Sequence, residues 1–448
     1  MKRYEEYKPS LTKWAPSIPQ NWKQVRGKSV FYNQKQLNAD NTCDNILSLT
    51  LKGVIGNNKE NPIGLSPKDY CTYQIFEPND LVFKLIDLEN ISTSRVGLVP
   101  ERGIMSPAYI RLCQRGNENI RYMYYQYFDL YLRNIFNGLG AGVRSTLTAS
   151  DLLNLPIMIP PRAEQDQIVR YLDWQVSKIN RLIAAKRKRI ELVKEHFSVR
   201  IANIVCNGLK PNTPMRETGI DYIGAIPSHW TVLQNKRLFK SMNRTFQGIP
   251  TVLSLSQKDG LIPYSEMTER SLHTSSYENW QLVCPNDLVL NRFKAHLGVF
   301  FASKYTGIVT FHYGVYEAKM PLVAKYYEVL YHTPEYCRVY AGQSRGMTVG
   351  LQNLSDTNFY STYTVYPPNE EQREIVTEIE QIEKQQSSII AGVNRQIEKL
   401  QEFRTRLISD VVTGQVDVRG IKVPDDEYIN NEITEEEFEE ESENNEEE

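Results

Sequence analysis

No run of about 18 consecutive apolar residues occurs in the 448-residue chain, so no segment is suited to cross a bilayer as a helix. The opening Met1-Lys2-Arg3-Tyr4-Glu5-Glu6 lacks the apolar core of a secretory signal, and a cytoplasmic protein is expected. Cysteine is scarce. The six, Cys43, Cys71, Cys113, Cys206, Cys284 and Cys337, include no C-x-x-C pair. A chain of this size needs no disulfide staples, so reduced thiols are expected. The six histidines, His196, His229, His273, His296, His312 and His332, show no metal-ligand spacing. Neither a nucleophile elbow, G-x-S-x-G, nor a phosphate loop, G-x-x-x-x-G-K-[ST], is present. The Asn-Pro-Pro-aromatic and Asp-Pro-Pro-Tyr motifs of amino-methyltransferases are also missing; Tyr366-Pro367-Pro368-Asn369 has the wrong order and precedes a helix. Gly138-Leu139-Gly140-Ala141-Gly142 follows a helical pattern rather than a strand, so it reads as a turn and not as a dinucleotide loop. These absences together point to a protein that binds rather than catalyses.

Basic residues are absent from the last stretch. Asp425–Glu448 holds 14 of the 54 acidic residues and no Lys or Arg, so the remaining 40 acidic side chains face 52 basic ones and the body carries +12. A basic body suggests a polyanionic partner, and the acidic extension reads as a disordered, solubilising tail. The body itself has globular composition, 41% hydrophobic and 24% charged with 27 tyrosines, and its length fits two to four domains at roughly 100–200 residues each.

The chain repeats itself. Ile18-Pro19-Gln20-Asn21-Trp22 returns as Ile226-Pro227-Ser228-His229-Trp230, and Leu47-Ser48-Leu49 as Leu253-Ser254-Leu255. Pro78-Asn79-Asp80-Leu81-Val82 returns unchanged as Pro285-Asn286-Asp287-Leu288-Val289. Pro160-Pro161-Arg162-Ala163-Glu164-Gln165 matches Pro367-Pro368-Asn369-Glu370-Glu371-Gln372. Collinear matches at offsets of 206–208 mark a tandem duplication. Each copy begins with short β-type runs punctuated by Gly, Pro, Asn and Asp. Strands are expected in Asn45–Val54, Asp80–Ile86, Thr251–Leu255 and Asp287–Asn291, and aromatic-rich helices in Glu118–Phe136 and Val323–Ala341. The fold class is therefore α+β: two similar α/β globules, pseudo-twofold in sequence, separated by long helices.

Each copy closes with a heptad pattern opened by a Pro-Pro pair. The first seam runs Leu172, Val176, Ile179, Ile183, Ile190, Val193, Phe197, interrupted by Lys186; the second runs Ile375, Ile379, Ile382, Ile389, Val393, Leu400, Phe403, Leu407. A lone helix cannot bury such a seam. Residues 162–209 carry 10 basic and 5 acidic side chains, net +5, whereas 369–414 carry 6 and 9, net −3, which favours pairing of the two as an antiparallel coiled coil. The boundaries follow: 1–160 and 213–366 for the globules, 161–212 and 367–418 for the helices, 424–448 for the tail.

Several cations are candidates for nucleic-acid contact. Lys52 and Lys258 each follow an L-S-L run in both copies, and Lys84, Arg95, Arg144, Arg292, Lys294 and Arg345 fall in loops or near strand ends. From there a side chain reaches phosphates or base edges, Arg by bidentate pairing to guanine; for each one taken alone a solvated surface charge is the commoner case. Lys186-Arg187-Lys188-Arg189 is either a solvated helix face or a phosphate-contacting stripe. Trp22 and Trp230 read as core anchors.

The tandem unit, the Ile-Pro-x-x-Trp and Pro-Asn-Asp-Leu-Val segments, and above all Leu155-Pro156-Ile157-Met158-Ile159-Pro160-Pro161-Arg162-Ala163-Glu164-Gln165 resemble the specificity subunit of type I restriction–modification systems. The second copy is looser, lacking the Leu-Pro-Ile, and the acidic tail has no counterpart motif. The resemblance, over about residues 10–418, implies two target recognition domains, each reading one half of an asymmetric bipartite site in double-stranded DNA. It implies that the helix pair docks two methyltransferase subunits, which bring S-adenosylmethionine and methylate adenine. A separate motor-nuclease subunit completes such complexes, and the specificity subunit has no catalytic centre, metal or cofactor. Leu172, Val176, Ile179, Ile183, Ile379, Ile382, Ile389, Val393 and Leu400 become the expected coiled-coil and docking positions. The alternative is a coiled-coil scaffold that binds only protein.

Overall fold

Two prolines before Arg162 and two before Asn369 open the longest elements, helices Arg162–Asn207 and Asn369–Val412, because proline's fixed φ suits a helix start and breaks what precedes it. Each helix is followed closely by a glycine with positive φ, Gly208 (82°) and Gly414 (71°), the conformation that ends helices most readily. A Cβ on Gly414 would fall 2.4 Å from the Pro19 ring, so close approach excludes a larger residue there as well. The computed structural model describes residues 2–424 apart from 52, 59–68, 87–94, 140–145, 247–250, 257–259, 268–276, 278 and 345–352. Among the described residues no helix is long and apolar enough to cross a membrane.

The chain divides into two units: residues up to Arg187 with the segment from Asn394, and Lys188–Val393. Each long helix is thus split between them. The first unit holds a four-stranded antiparallel sheet in the order Phe31–Asn33, Ile110–Gln114, Leu81–Phe83, Val96–Leu98. The second holds Phe239–Ser241, Tyr313–Ala318, Leu288–Asn291, Phe300–Ala302 in the same order. The smaller pairs also recur. Hairpin Leu47–Thr50 with Gly53–Gly56 corresponds to Leu253–Ser256 with Gly260–Pro263. Lys23–Arg26 with Pro156–Ile159 corresponds to Thr231–Gln234 with Tyr363–Tyr366. The duplication read in the sequence is a duplication of architecture.

The repeated Pro-Asn-Asp turn has a structural cause. Asn79 and Asn286 take positive φ of 71° and 68°, which asparagine tolerates. Asp80 Oδ2 accepts the Glu77 amide at 2.7 Å, and Asp287 Oδ2 accepts the Cys284 amide at 2.7 Å. Each aspartate also neutralises a cation, the buried Arg111 at 2.6 Å in the first unit and the half-buried Arg244 in the second. Both cores are rich in buried aromatic rings. In the second unit Tyr326, Tyr327, Tyr331, Tyr336 and Tyr340 pack with Phe239, Phe300 and Phe359. Their hydroxyls are satisfied: Tyr331 donates to Asn235 Oδ1 at 2.9 Å and Tyr336 to Thr364 at 3.1 Å.

Three expectations need correction. Asn45–Val54 is not one strand: it reverses after Thr50, and Gly53, at φ 105°, begins the returning strand. Both expected aromatic-rich helices are broken. Glu118–Phe136 is Ile120–Leu132 followed by Ile135–Leu139, with Asn134 between them at φ 54°. Val323–Ala341 is Ala324–Tyr331 and Pro334–Gln343, because Pro334 cannot continue the first and starts the second. Ile389 is off the seam and 38% exposed, as is Phe403 at 47%. The apolar stripe instead steps Ile382, Gln386, Ile390, Val393, Ile397, Leu400, all buried or half-buried. The two consecutive four-residue steps let a helix of 3.6 residues per turn stay in register where a strict heptad would drift.

The remaining seam positions pack as expected. Leu172, Ile179, Ile183, Ile379, Ile382 and Val393 are buried, and Val176 and Leu400 are half-buried. In the first unit Asn180 accepts from Arg404 at 2.8 Å and Lys186 donates to Gln396 at 2.6 Å, so the helices run antiparallel. In the second unit Arg200 pairs with Glu378 at 2.9 Å while Gly208 lies against Glu371, which gives the same sense. The double substitution Ile179→Asp, Ile183→Asp should abolish helix pairing in the first unit and leave its sheet folded. Hydrogen exchange reports this as lost protection confined to the helices; full protection of residues 172–186 would refute the packing.

Candidate nucleic-acid interface and partner-docking helices

The motif that opens each long helix fastens the helix to the globule of its own unit. Glu164, in the first helical turn and only 6% exposed, accepts from the Tyr4 hydroxyl at 2.6 Å, Trp22 Nε1 at 2.8 Å and Asn21 Nδ2 at 3.3 Å. In the second unit Glu371 accepts from Trp230 Nε1 at 3.0 Å and shares a 2.8 Å hydrogen bond with His229 Nε2. A carboxylate at this point also meets the positive end of the helix dipole. Burial, reinforced by the Glu164 carboxylate, holds the Tyr4 phenol well above its usual pKa, so it stays a donor.

The neighbouring glutamine ties a second helix into the same joint. Gln165 Oε1 accepts the backbone amide of Asn119, the N-cap of Ile120–Leu132, at 2.8 Å, and its Nε2 donates to the Pro160 carbonyl at 2.9 Å. Gln372 repeats this with the Val323 amide at 2.9 Å and the Pro367 carbonyl at 2.8 Å, where Val323 caps Ala324–Tyr331. Both glutamines are fully buried. In each unit a tyrosine also reaches the far end of the other long helix: Tyr122 donates to the Val412 carbonyl at 3.4 Å and Tyr326 to the Val205 carbonyl at 2.8 Å. The sequence flagged Pro-Pro-x-x-Glu-Gln and both tryptophans by their repetition, but not that they form one joint. The signal was there in the pairing of Trp with Glu and of Gln with the aromatic helix across both copies.

The candidate DNA-contacting cations fare differently. Lys52, Arg144, Lys258 and Arg345 lie outside the described residues. Lys84 is half-buried at the end of strand Leu81–Phe83, its amide bonded to the Arg95 carbonyl at 3.1 Å. Arg95 is 3% exposed and its Nη1 reaches the Ile86 carbonyl at 3.4 Å, so it is held inside the unit rather than at the surface expected for phosphate contact. Arg292 is half-buried and paired with Asp356 at 2.7 Å. Lys294 is exposed. In the basic run, Lys188 and Arg189 are exposed while Lys186 and Arg187 are half-buried. The helix faces turned away from the seam expose Leu182, Leu192 and Val199, at 52%, 57% and 65%, together with Ile389 and Phe403. Among the described residues no group of His, Cys, Asp and Glu is placed to hold a metal ion.

Residues 19–192 match the family model described as the type I restriction modification DNA specificity domain. No curated protein matches the chain in sequence. Among solved structures, a chain from work on complex assembly and conformational transition of the type I R-M system is similar in fold. Its TM-score is 0.60 at 13% identity, over 89% of this chain and 99% of that one. The HsdS subunit from Thermoanaerobacter tengcongensis aligns with TM-score 0.45 and 14% identity, over 91% of this chain and 100% of that one. The type I restriction-modification S subunit from M. genitalium aligns with TM-score 0.33 and 12% identity, over 90% and 97% respectively.

The buried joint predicts its own energetics. Gln372→Ala leaves the Val323 amide and Pro367 carbonyl unpaired and should lower the stability of the second unit by about 1–3 kcal/mol. Denaturant unfolding followed by hydrogen exchange should place that loss at Ala324–Tyr331 and spare the first unit; an unchanged second unit would show that the glutamine carries no weight.

Proposed function

Because residues 19–192 match the type I restriction modification DNA specificity domain, we propose that the chain is a specificity subunit that reads an asymmetric bipartite site in double-stranded DNA and leaves the chemistry to its partners. The observation that carries this reading is the recurrence of one architecture in two units, with the same four-strand order and the same helix joint, while the loops differ in sequence. Two alike folds with unlike loops suit two readers of different half-sites. Sequence discrimination comes from side chains on base edges, and phosphate contacts from the basic body supply register and salt-dependent affinity.

The boundaries 1–160 and 213–366 then correspond to the two recognition domains. The paired helices set the separation of the half-sites and dock two adenine methyltransferase subunits. Leu182, Leu192, Val199, Ile389 and Phe403 provide the exposed apolar contact for that docking. S-adenosylmethionine arrives with the methyltransferase, and a motor-nuclease subunit joins the complex when DNA is to be cut. The work is cytoplasmic. Exchanging residues 213–366 for the second recognition domain of another specificity subunit tests the assignment. Methylation mapping of the exchanged protein with its methyltransferase should show one half-site replaced and the other retained. Replacement of both, or of neither, would contradict it.

A further inference from the structure

Strand Leu288–Asn291 of the second unit runs into a short helical turn, Arg292–Leu297, that is anchored on every side. Asn291 Oδ1 accepts the Phe293 amide at 3.1 Å, Arg292 pairs with Asp356 at 2.7 Å, Ala295 is fully buried, and Gly298 closes the turn at φ 72°. Asp356 is itself held by the Tyr316 hydroxyl at 2.8 Å. Arg292 is therefore engaged in holding the turn.

What this rigid turn leaves at the surface is a groove of about 460 Å³, with Phe293, Lys294 and His296 on one wall and Thr310 and His312 on the other. Its walls touch through the rings of Phe293 and His312, with centroids 5.8 Å apart, and His312 packs on Phe311 at 4.0 Å. Lys294 is exposed, Leu297 is 46% exposed and Phe311 is 54% exposed. His296 Nδ1 is shielded from solvent and meets no hydrogen-bond partner among the described residues. A buried polar atom left unpaired needs an explanation, and a partner supplied on binding is one. The groove thus combines one cation, two imidazoles and a hydroxyl with apolar rims, on a turn anchored through Asn291, Arg292 and Ala295. Base discrimination demands this, since donors and acceptors must be held to a fraction of an ångström.

We propose that this groove is the base-reading wall of the second unit, with Lys294 and His296 as its specificity-determining side chains and Arg292 as a positioning residue. The inference rests on the DNA-reading function proposed above and names the chemistry of its second half-site. Lys294 meets acceptor edges such as guanine O6 and N7. His296 turns its ring toward a neighbouring base, pairing there the nitrogen that is buried and unsatisfied in the free protein, and the apolar rim suits a thymine methyl group.

The test uses the full chain co-expressed with its methyltransferase subunits in a host free of adenine methylation, followed by genome-wide mapping of the marks. His296→Ala and Lys294→Ala should each relax preference at one or two base pairs of a single half-site by roughly 5- to 150-fold and leave the other half-site unchanged. Arg292→Ala should relax the same positions, and Arg292→Lys should recover part of the preference because it keeps a charge facing Asp356. A uniform drop in methylation across all sequences would mark a phosphate contact or a purely structural role and overturn the proposal. So would wild-type motifs in both half-sites, or loss of every mark by both His296→Ala and His296→Gln. A wild-type complex that writes no bipartite mark would instead sink the DNA-reading function itself, before any substitution is made.

Discussion

Everything in this molecule turns on a carboxylate, buried at Glu164 and half-buried at Glu371, and a buried amide at the start of each long helix. Glu164 and Glu371 receive the indole donors of Trp22 and Trp230, while Gln165 and Gln372 bridge the helix start to the cap of an aromatic helix. Hydrogen bonds to a charged group contribute about 1.5–3 kcal/mol each, and leaving any of these groups unpaired costs a comparable amount. The joint is consequently stiff, and it is made twice. A helix fastened this way behaves as part of its globule, so whatever surface the globule presents is oriented by the helix rather than by a flexible linker.

The second consequence concerns which parts of the protein were free to diverge. The residues that repeat between the copies, the Pro-Asn-Asp turn, the tryptophan, the Glu-Gln pair and the helix-ending glycine, all have a mechanical task inside a unit. Asn79 and Asn286 occupy left-handed turns, and Gly414 sits where a Cβ would strike Pro19. Under the proposed function, reading falls instead to loops such as Arg292–Leu297, held in the second unit by the Arg292–Asp356 pair. That separation of tasks suits a scaffold that must stay constant while its readers change.

The repeat, the α+β class and both long helices were legible in the sequence, because proline pairs, heptads and collinear matches are local signals. The seam of the second helix was only partly so. Ile389 and Ile390 are adjacent and equally apolar, and choosing between them depends on a four-residue step through Gln386, a polar residue that a heptad reading skips. The fate of the candidate cations was not legible at all. Arg292 is claimed by Asp356, 64 positions away, and Arg95 by a carbonyl inside its own unit, whereas Lys294, two residues from Arg292, is left exposed. Spacing along the chain carries no record of such long-range claims, and neither His296 nor His312 stood out among six scattered histidines.

Under the proposed function, the two units read the two half-sites of one DNA site. The most direct measurement is the position of adenine methyl marks across the genome of the organism that makes this protein. The account predicts a single asymmetric motif whose two specific parts differ in sequence and are always separated by the same number of unspecified base pairs. A contiguous motif, or specific parts separated by a variable distance, would contradict it.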